Sequence, residues 1–106
     1  MTIINMTPHP VMIVDREGNE IKRFETAGQI RLASQTVAGE AIEGIPTSKT
    51  VFGEAVGLPE EPEHGKYYIV SQLVKSALPG RRDLLVPAEV VRDASGNIIG
   101  CRSLGR

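Results

Sequence analysis

The segment from residue 67 to residue 83, YYIVSQLVKSALPGRRD, contains residue types that can bind an anion. Ser71 stands where an apolar strand passes into the only convincing helix of the chain. The backbone N–H groups of a first helical turn attract negative charge, and a serine hydroxyl adds a further hydrogen bond. The same hydroxyl can instead cap those N–H groups, which explains Ser71 without any ligand. No glycine-rich loop precedes the helix, so the segment has neither a Walker A nor a dinucleotide-binding pattern.

Two arginines and an aspartate, Arg81, Arg82 and Asp83, follow the end of this helix. The planar guanidinium group of arginine is suited to phosphate or carboxylate. The structural alternative is an Arg–Asp ion pair, or a cation near the helix C-terminus that complements the helix dipole. Arg92, which precedes Asp93, has the same two interpretations. If these arginines bind a ligand, Arg82→Ala abolishes binding and leaves the thermal midpoint nearly unchanged.

A third candidate is the N-terminal sequence TPHP, from Thr7 to Pro10. Each proline holds the residue before it in an extended conformation, so His9 is presented from a stiff segment. Histidine in such a place can act as an acid, a base or a hydrogen-bond donor to a ligand. The alternative is that a proline-flanked turn simply ends an edge strand.

Evidence for catalysis or metal binding is weak. The chain's two histidines, His9 and His64, and its one cysteine, Cys101, are far apart and lack paired metal-ligand spacing. Cys101 lies in an apolar strand and is more typical of a small core residue than of a nucleophile. Ser71, His9 and Asp83 are the residue types of a Ser-His-Asp catalytic triad, but the sequence has no nucleophile-elbow pattern to support one. The sequence favours binding over catalysis and predicts no metal and no cofactor.

Composition narrows the class of protein further. The chain has 106 residues and a net charge of −1, and its pI is near 6.1, unlike the basic stripe of a duplex-binding protein. A single cysteine excludes an intramolecular disulfide and fits a reducing cytoplasm. The N-terminus lacks the features of a signal peptide, and the apolar runs are far shorter than the ~20 residues that span a bilayer. These features predict one cytoplasmic domain over residues 1–106, with no membrane and no duplex nucleic acid as partner.

Glycine and proline separate short runs rich in valine and isoleucine, which is typical of a β-rich domain. Strands are predicted at residues 2–6, 11–14, 20–24, 66–70, 83–87, 89–92 and 97–103. A helix is predicted from Ser71 to Leu78, with its apolar face formed by Val70, Leu73, Val74, Ala77 and Leu78. The predicted fold is α+β and β-rich, a twisted antiparallel sheet or small barrel with one short helix.

Two pairs of similar segments add detail. The pattern D-x-x-G-N-x-I occurs at residues 15–21 and 93–99, and it predicts two hairpins in which aspartate caps the turn and glycine takes the left-handed conformation. Residues 36–46 also resemble residues 50–59, each with a central glycine and a proline at the end. We interpret these as two similar strands of one sheet, the alternative being a repeated binding element.

The order of motifs along the chain resembles a family of small, largely uncharacterised phage and prophage proteins. The motifs are N-M-T-P-H, G-I-P, F-G-E-A-V-G-L-P, Y-I-V-S, R-x-D-L-L-x-P and V-R-D-x-x-G-x-I-I-G-C-x-S-L, and together they cover nearly the whole chain. The matching positions include Asn5, Thr7, Pro8, His9, Ser71, Arg82, Asp83, Arg92, Asp93, Gly96 and Cys101. The resemblance implies a viral genome context. Small phage proteins often counter host defence, some of them by sequestering nucleotide second messengers.

The first functional hypothesis is therefore a protein that binds an anionic small molecule, most specifically a nucleotide immune signal, in the host cytoplasm. We expect a homo-oligomer whose pockets can form between chains. The predicted ligand-binding residues are Asn5, Thr7, His9, Ser71, Arg81, Arg82, Asp83 and Arg92. The alternative is a protein–protein inhibitor or a virion-associated structural module that uses exposed strand edges. The third hypothesis is a small hydrolase that uses His9 and Ser71. It ranks last because the sequence shows no activated nucleophile.

Overall fold

The structure, a computed structural model, describes residues 1–106. It contains eight strands and one helix: β1 Thr2–Asn5, β2 Val11–Val14, β3 Glu20–Phe24, β4 Arg31–Ala38, β5 Ser48–Val56, β6 Lys66–Ile69, α1 Gln72–Ala77, β7 Leu84–Arg92 and β8 Ile98–Gly105. This confirms the predicted β-rich α+β class with one short helix. At six residues, α1 is too short to be a membrane-spanning helix.

The main sheet has six strands in the order β1-β6-β7-β8-β2-β3. Its pairing differs from the expected antiparallel sheet or small barrel, because the sheet is mixed and does not close. Strands β1 and β6, β6 and β7, and β2 and β8 are parallel, whereas the two hairpins are antiparallel. The physical reason is that β6 reaches β7 through the crossover helix α1, and such a crossover permits parallel pairing. At one end, the Ala27 N–H donates to the Asn5 carbonyl at 2.8 Å and links the two edges of the sheet.

Both predicted hairpins are confirmed, with the turn chemistry expected from their shared pattern. In the β2–β3 turn, the Asp15 carboxylate accepts hydrogen bonds from the backbone N–H groups two and four residues later, each at 2.9 Å. Asp93 does the same in the β7–β8 turn, at 2.9 and 3.0 Å. Gly18 and Gly96 have φ angles of 86° and 85°. The hydrogen bond from the Asn19 backbone holds the pKa of Asp15 below its ordinary value.

The core consists of two clusters on opposite faces of the sheet. One contains Ile30, Tyr68, Val70, Val74 and Leu84, and the other contains Val11, Ile69, Leu85 and Cys101. Neighbouring residues such as Leu84 and Leu85 join different clusters because side chains alternate along a strand. The prediction that Cys101 is a core residue is confirmed, and burial raises the pKa of its thiol. The prediction for Leu73 is wrong: it is 57% exposed, since so short a helix buries only Val74.

Strands β4 and β5 pair only with each other and project from the body, and we call residues 31–56 the arm. The interpretation of the two similar segments as strands of one sheet is correct for residues 50–56, which lie in β5, but wrong for most of residues 36–46, because β4 ends at Ala38 and residues 39–47 lie at the far end of the arm. Leu32 and Ala55 at the base of the arm pack against the first core cluster. At the far end, Glu43 and Gly44 have φ angles of 50° and 77°, as a two-residue type I′ turn requires. The arm raises the radius of gyration to 17.0 Å, against about 13 Å for a compact chain of this length.

Candidate functional site

Asn5, at the end of β1, fixes the TPHP segment. Its side-chain nitrogen donates to the carbonyl oxygens of His9 and Phe24, at 2.8 and 3.0 Å. Its side-chain oxygen accepts from the backbone N–H and the hydroxyl of Thr7, at 3.0 and 2.6 Å. Asn5 is 1% exposed, and these four bonds use every donor and acceptor position of its amide. Asn5 therefore positions the candidate site and has no free polar atom for a ligand.

The TPHP segment is further held to the connection between β3 and β4. The hydroxyl of Thr26 donates to the Thr7 carbonyl, and the Thr7 hydroxyl lies 2.9 Å from the His9 carbonyl as well as near Asn5. A hydroxyl has one proton, so Thr7 donates to one of these two acceptors at a time. The imidazole of His9 is exposed and makes no hydrogen bond within the chain. The segment thus presents a free imidazole from a fixed backbone, as the sequence predicted.

A cavity of about 590 Å³, which we call the groove, lies where the TPHP segment and the start of α1 meet strands β2, β3, β7 and β8. Its polar lining residues are Thr7, His9, Arg23 and Ser71, and its apolar lining includes Val11, Met12, Val90, Ile98, Ile99 and Cys101. The order of strands β7-β8-β2-β3 sets Val90 on β7 at one end and Arg23 on β3 at the other. We call the β7–β8 side of the groove, with Val90, Ile98 and Ile99, its apolar end, and the β3 side, with Arg23, its polar end.

The structure brings together three of the eight predicted site residues. Thr7, His9 and Ser71 line the groove, and Asn5 lies behind them as their support. The other four, Arg81, Arg82, Asp83 and Arg92, do not line it. The TPHP segment and the segment 67–83 thus meet in one cavity. The second segment contributes Ser71 to it, and its two arginines lie elsewhere.

Arg81 and Asp83 form an ion pair inside the fold. The Arg81 guanidinium donates to both carboxylate oxygens of Asp83, at 2.8 and 2.6 Å, and also to the Pro59 carbonyl at 2.7 Å. The two side chains are only 14% and 4% exposed. Hydrogen bonding to the Asp83 carboxylate raises the pKa of Arg81. This geometry matches the structural interpretation of the pair, which ties the acidic loop after β5 to the start of β7.

The remaining two arginines lie elsewhere on the surface. Arg92 donates to the Gly96 carbonyl at 2.9 Å and thereby stabilises the β7–β8 turn. Arg82 is exposed and forms no ion pair. Arg82 is thus an available cation, but it lies outside the groove.

Arg23 is the cation in the groove, and sequence reasoning missed it. It lies on β3 in the run EIKRF, 48 residues before Ser71, and no local pattern links it to the helix. Its guanidinium contacts the Glu25 carboxylate at 2.5 Å, and the two side chains are 45% and 69% exposed. Exposed ion pairs contribute only about 0–1 kcal/mol, so an anionic ligand can replace Glu25 at small cost. One signal in the sequence could have indicated it. The predicted first hairpin pairs β3 with β2, and β2 directly follows the TPHP segment.

Ser71 is the N-cap of α1, and its hydroxyl accepts a hydrogen bond from the Val74 N–H at 3.3 Å. We expect Ser71→Ala to lower the free energy of unfolding by about 0.5–1 kcal/mol, because the Val74 N–H in the first turn loses its hydrogen-bond acceptor. Urea denaturation followed by circular dichroism measures the change. Ser76→Ala is the matched control, since it removes an exposed hydroxyl from the same helix and should leave stability nearly unchanged. Equal losses for the two variants would contradict a capping role.

The groove contains no arrangement typical of metal binding, and no group of three or more His, Cys, Asp or Glu side chains is placed to hold a metal ion anywhere in the chain. No protein-family model, curated protein or solved structure matches the chain. The resemblance to small phage proteins therefore stays a prediction from sequence motifs.

Proposed function

We propose that this protein binds a small anionic molecule in the groove and holds it without chemical change. The observation that carries the proposal is the meeting of Thr7, His9, Arg23 and Ser71 around one cavity, although they come from three separate parts of the chain. Arg23 supplies positive charge, and the imidazole and hydroxyl groups supply hydrogen bonds. A volume of about 590 Å³ falls within the usual range for small-molecule sites.

The two ends of the groove suit the two parts of a nucleotide. The phosphate is matched by the polar end, where the guanidinium of Arg23 can donate two parallel hydrogen bonds. The base is matched by the apolar end, formed in part by Val90 and Ile98. With the viral context that the sequence motifs imply, the proposed role is sequestration of a nucleotide immune signal in the host cytoplasm.

Binding without reaction is supported by the state of the possible nucleophiles. The Ser71 hydroxyl accepts the helix-capping hydrogen bond and makes none with His9. The Asp83 carboxylate, which a triad would need, is held by Arg81. Burial raises the pKa of the Cys101 thiol, which disfavours the reactive thiolate. None of these groups is arranged to attack a bound ligand.

Isothermal titration calorimetry against cyclic and ADP-ribose-type nucleotides tests the proposal, with inorganic phosphate and uncharged nucleosides as controls. We expect at least one nucleotide to bind, with both control classes much weaker because each fills only one end of the groove. The bound nucleotide should be recovered unchanged by chromatography. Absence of heat with every nucleotide would refute the proposal, and recovery of an altered nucleotide would favour an enzyme.

The alternative function, a protein–protein inhibitor or virion-associated module, is favoured by one observation. The arm carries large apolar side chains into solvent, namely Ile42, Ile45, Val51, Phe52 and Val56, which are 38–66% exposed. Exposed apolar residues concentrated on one projecting element mark an interaction surface.

A further inference from the structure

The chain exposes more surface than a compact protein of its mass. Its accessible surface is 7613 Å², whereas a compact monomer of 11.5 kDa exposes about 5,800 Å². The excess of roughly 1,800 Å² is more than the ~800 Å² that each partner buries in a stable interface. Only 12 of 106 residues are buried, so the fold has little core of its own to compensate. The surface that the monomer leaves uncovered is thus large enough for a dimer interface.

The arm carries five of the eleven large hydrophobic side chains that the chain exposes. A two-stranded ribbon is marginally stable by itself in water, and no other strand pairs with β4 or β5. At the tip, Ile42 and Ile45 exchange backbone hydrogen bonds of 3.0 and 2.8 Å, so their side chains lie on the same face. They are 66% and 64% exposed. The arm therefore ends in an apolar knob that the chain itself does not cover.

The apolar end of the groove is the matching surface on the body. Val90, Ile98 and Ile99 line it and are 44%, 61% and 44% exposed. Charge also matches, because Glu40 and Glu43 at the arm tip form no ion pair within the chain, whereas the polar end of the groove carries Arg23. The arm tip carries glutamates beside exposed isoleucines, and the groove carries an arginine beside exposed apolar side chains. The two surfaces are complementary in charge and in hydrophobicity, and a second copy of the chain can supply each to the other.

We propose that the arm tip of one copy docks on the apolar end of the groove of a second copy, with Ile42 and Ile45 packed against Val90 and Ile98. The arm spans roughly 40 Å at ~3.4 Å per residue, which is enough to cross a neighbouring body. Reciprocal docking of two arms closes a two-fold dimer. The inference goes beyond ligand binding and does not rest on it: the docked tip would cover Val90 and Ile98 and turn its glutamates toward Arg23, so the tip and an anionic ligand compete for the groove.

Size-exclusion chromatography with light scattering tests the contact in the absence of any ligand. We expect the wild-type mass to be twice the 11.5 kDa of the chain. The tip variant, Ile42→Glu with Ile45→Glu, and the groove variant, Ile98→Glu, should each run as monomers because a charge is placed in an apolar contact. Ile21→Glu is the matched control: Ile21 is also 64% exposed but lies on β3 outside the groove, and this variant should remain dimeric.

Mixing the two variants sharpens the test. The tip variant retains an intact groove and the groove variant retains an intact tip, so the mixture should rebuild one of the two contacts and associate measurably. A monomeric wild type would overturn the proposal, as would a groove variant that remains dimeric, since the arms would then contact each other or another surface. If the tip variant fails to fold by circular dichroism, reversing Glu40 and Glu43 to lysine gives a second test: it should weaken association, and Arg23→Glu in the partner should restore it. No effect of the reversal would also overturn the proposal.

Discussion

Asp83→Ala should destabilise the protein by about 3–5 kcal/mol, the largest loss expected from any single substitution described here. Asp83 is 3% exposed and holds the Arg81 guanidinium through two hydrogen bonds. Its removal leaves a largely buried positive charge without a partner. Because the Arg81 side chain also bonds to the Pro59 carbonyl, the loop after β5 should loosen at the same time.

Equilibrium urea denaturation measures this effect, and the double variant Arg81→Ala/Asp83→Ala isolates its cause. Removing both charges leaves no unpaired group, so the double variant should be more stable than Asp83→Ala alone. Asp93→Ala is a useful comparison because Asp93 is an exposed turn residue and should cost much less. If the free energy of unfolding of Asp83→Ala is within about 1 kcal/mol of the wild-type value, the result would contradict a structural role for the pair, because removing one partner of a buried ion pair costs about 3–5 kcal/mol.

Asn5→Ala should cost about 2–4 kcal/mol, because the substitution removes the hydrogen-bond partner of three partly buried backbone groups, two in the TPHP segment and one on β3. The carbonyl oxygens of His9 and Phe24 lose a donor, and the Thr7 N–H loses its acceptor. The segment that carries Thr7 and His9 into the groove should then become mobile. Asn5 is thus a positioning residue, and its loss should weaken ligand binding as well as stability.

Amide hydrogen exchange separates this positioning role from a general loss of stability. In Asn5→Ala, amide protection should fall most at residues 7–10. The free energy of opening measured for amides of β7 and β8 should fall by no more than the change in the global free energy of unfolding. Asn19→Ala is the control: Asn19 is an exposed asparagine in the first hairpin turn, so protection of residues 7–10 should be unchanged. Uniform loss of protection across the sheet in Asn5→Ala would contradict the positioning role.

Local features of the fold were predictable from sequence, because neighbouring residues determine them. The D-x-x-G-N pattern predicts each hairpin, since one carboxylate satisfies two backbone N–H groups of its own turn. Ser71 before an apolar run likewise predicts the start of α1. The mixed order of strands could not be predicted in this way, because it depends on contacts between distant segments such as β1 and β6.

Only those residues of the candidate site whose local sequence is unusual were predictable. The sequence identified Thr7, His9 and Ser71, whose local setting is unusual, but the partner of each arginine is decided by the tertiary fold. Arg81 contacts the Pro59 carbonyl, 22 residues away, and so has a structural role in the fold. Arg23 reaches the groove because β3 pairs with β2, as the hairpin pattern predicts, and because β2 pairs with β8, which no spacing in the sequence indicates.

The central claim is that the groove, and not the arginine pair after α1, is the anion site. Calorimetric titration of Arg23→Gln and Arg82→Gln with the same nucleotide tests it most directly, since each variant removes one exposed cation. Loss of a charge-assisted hydrogen bond should weaken binding to Arg23→Gln roughly ten- to a hundredfold. Arg82→Gln, which lies outside the groove, should bind as the wild type does. Loss of binding in Arg82→Gln with retention in Arg23→Gln would contradict the claim.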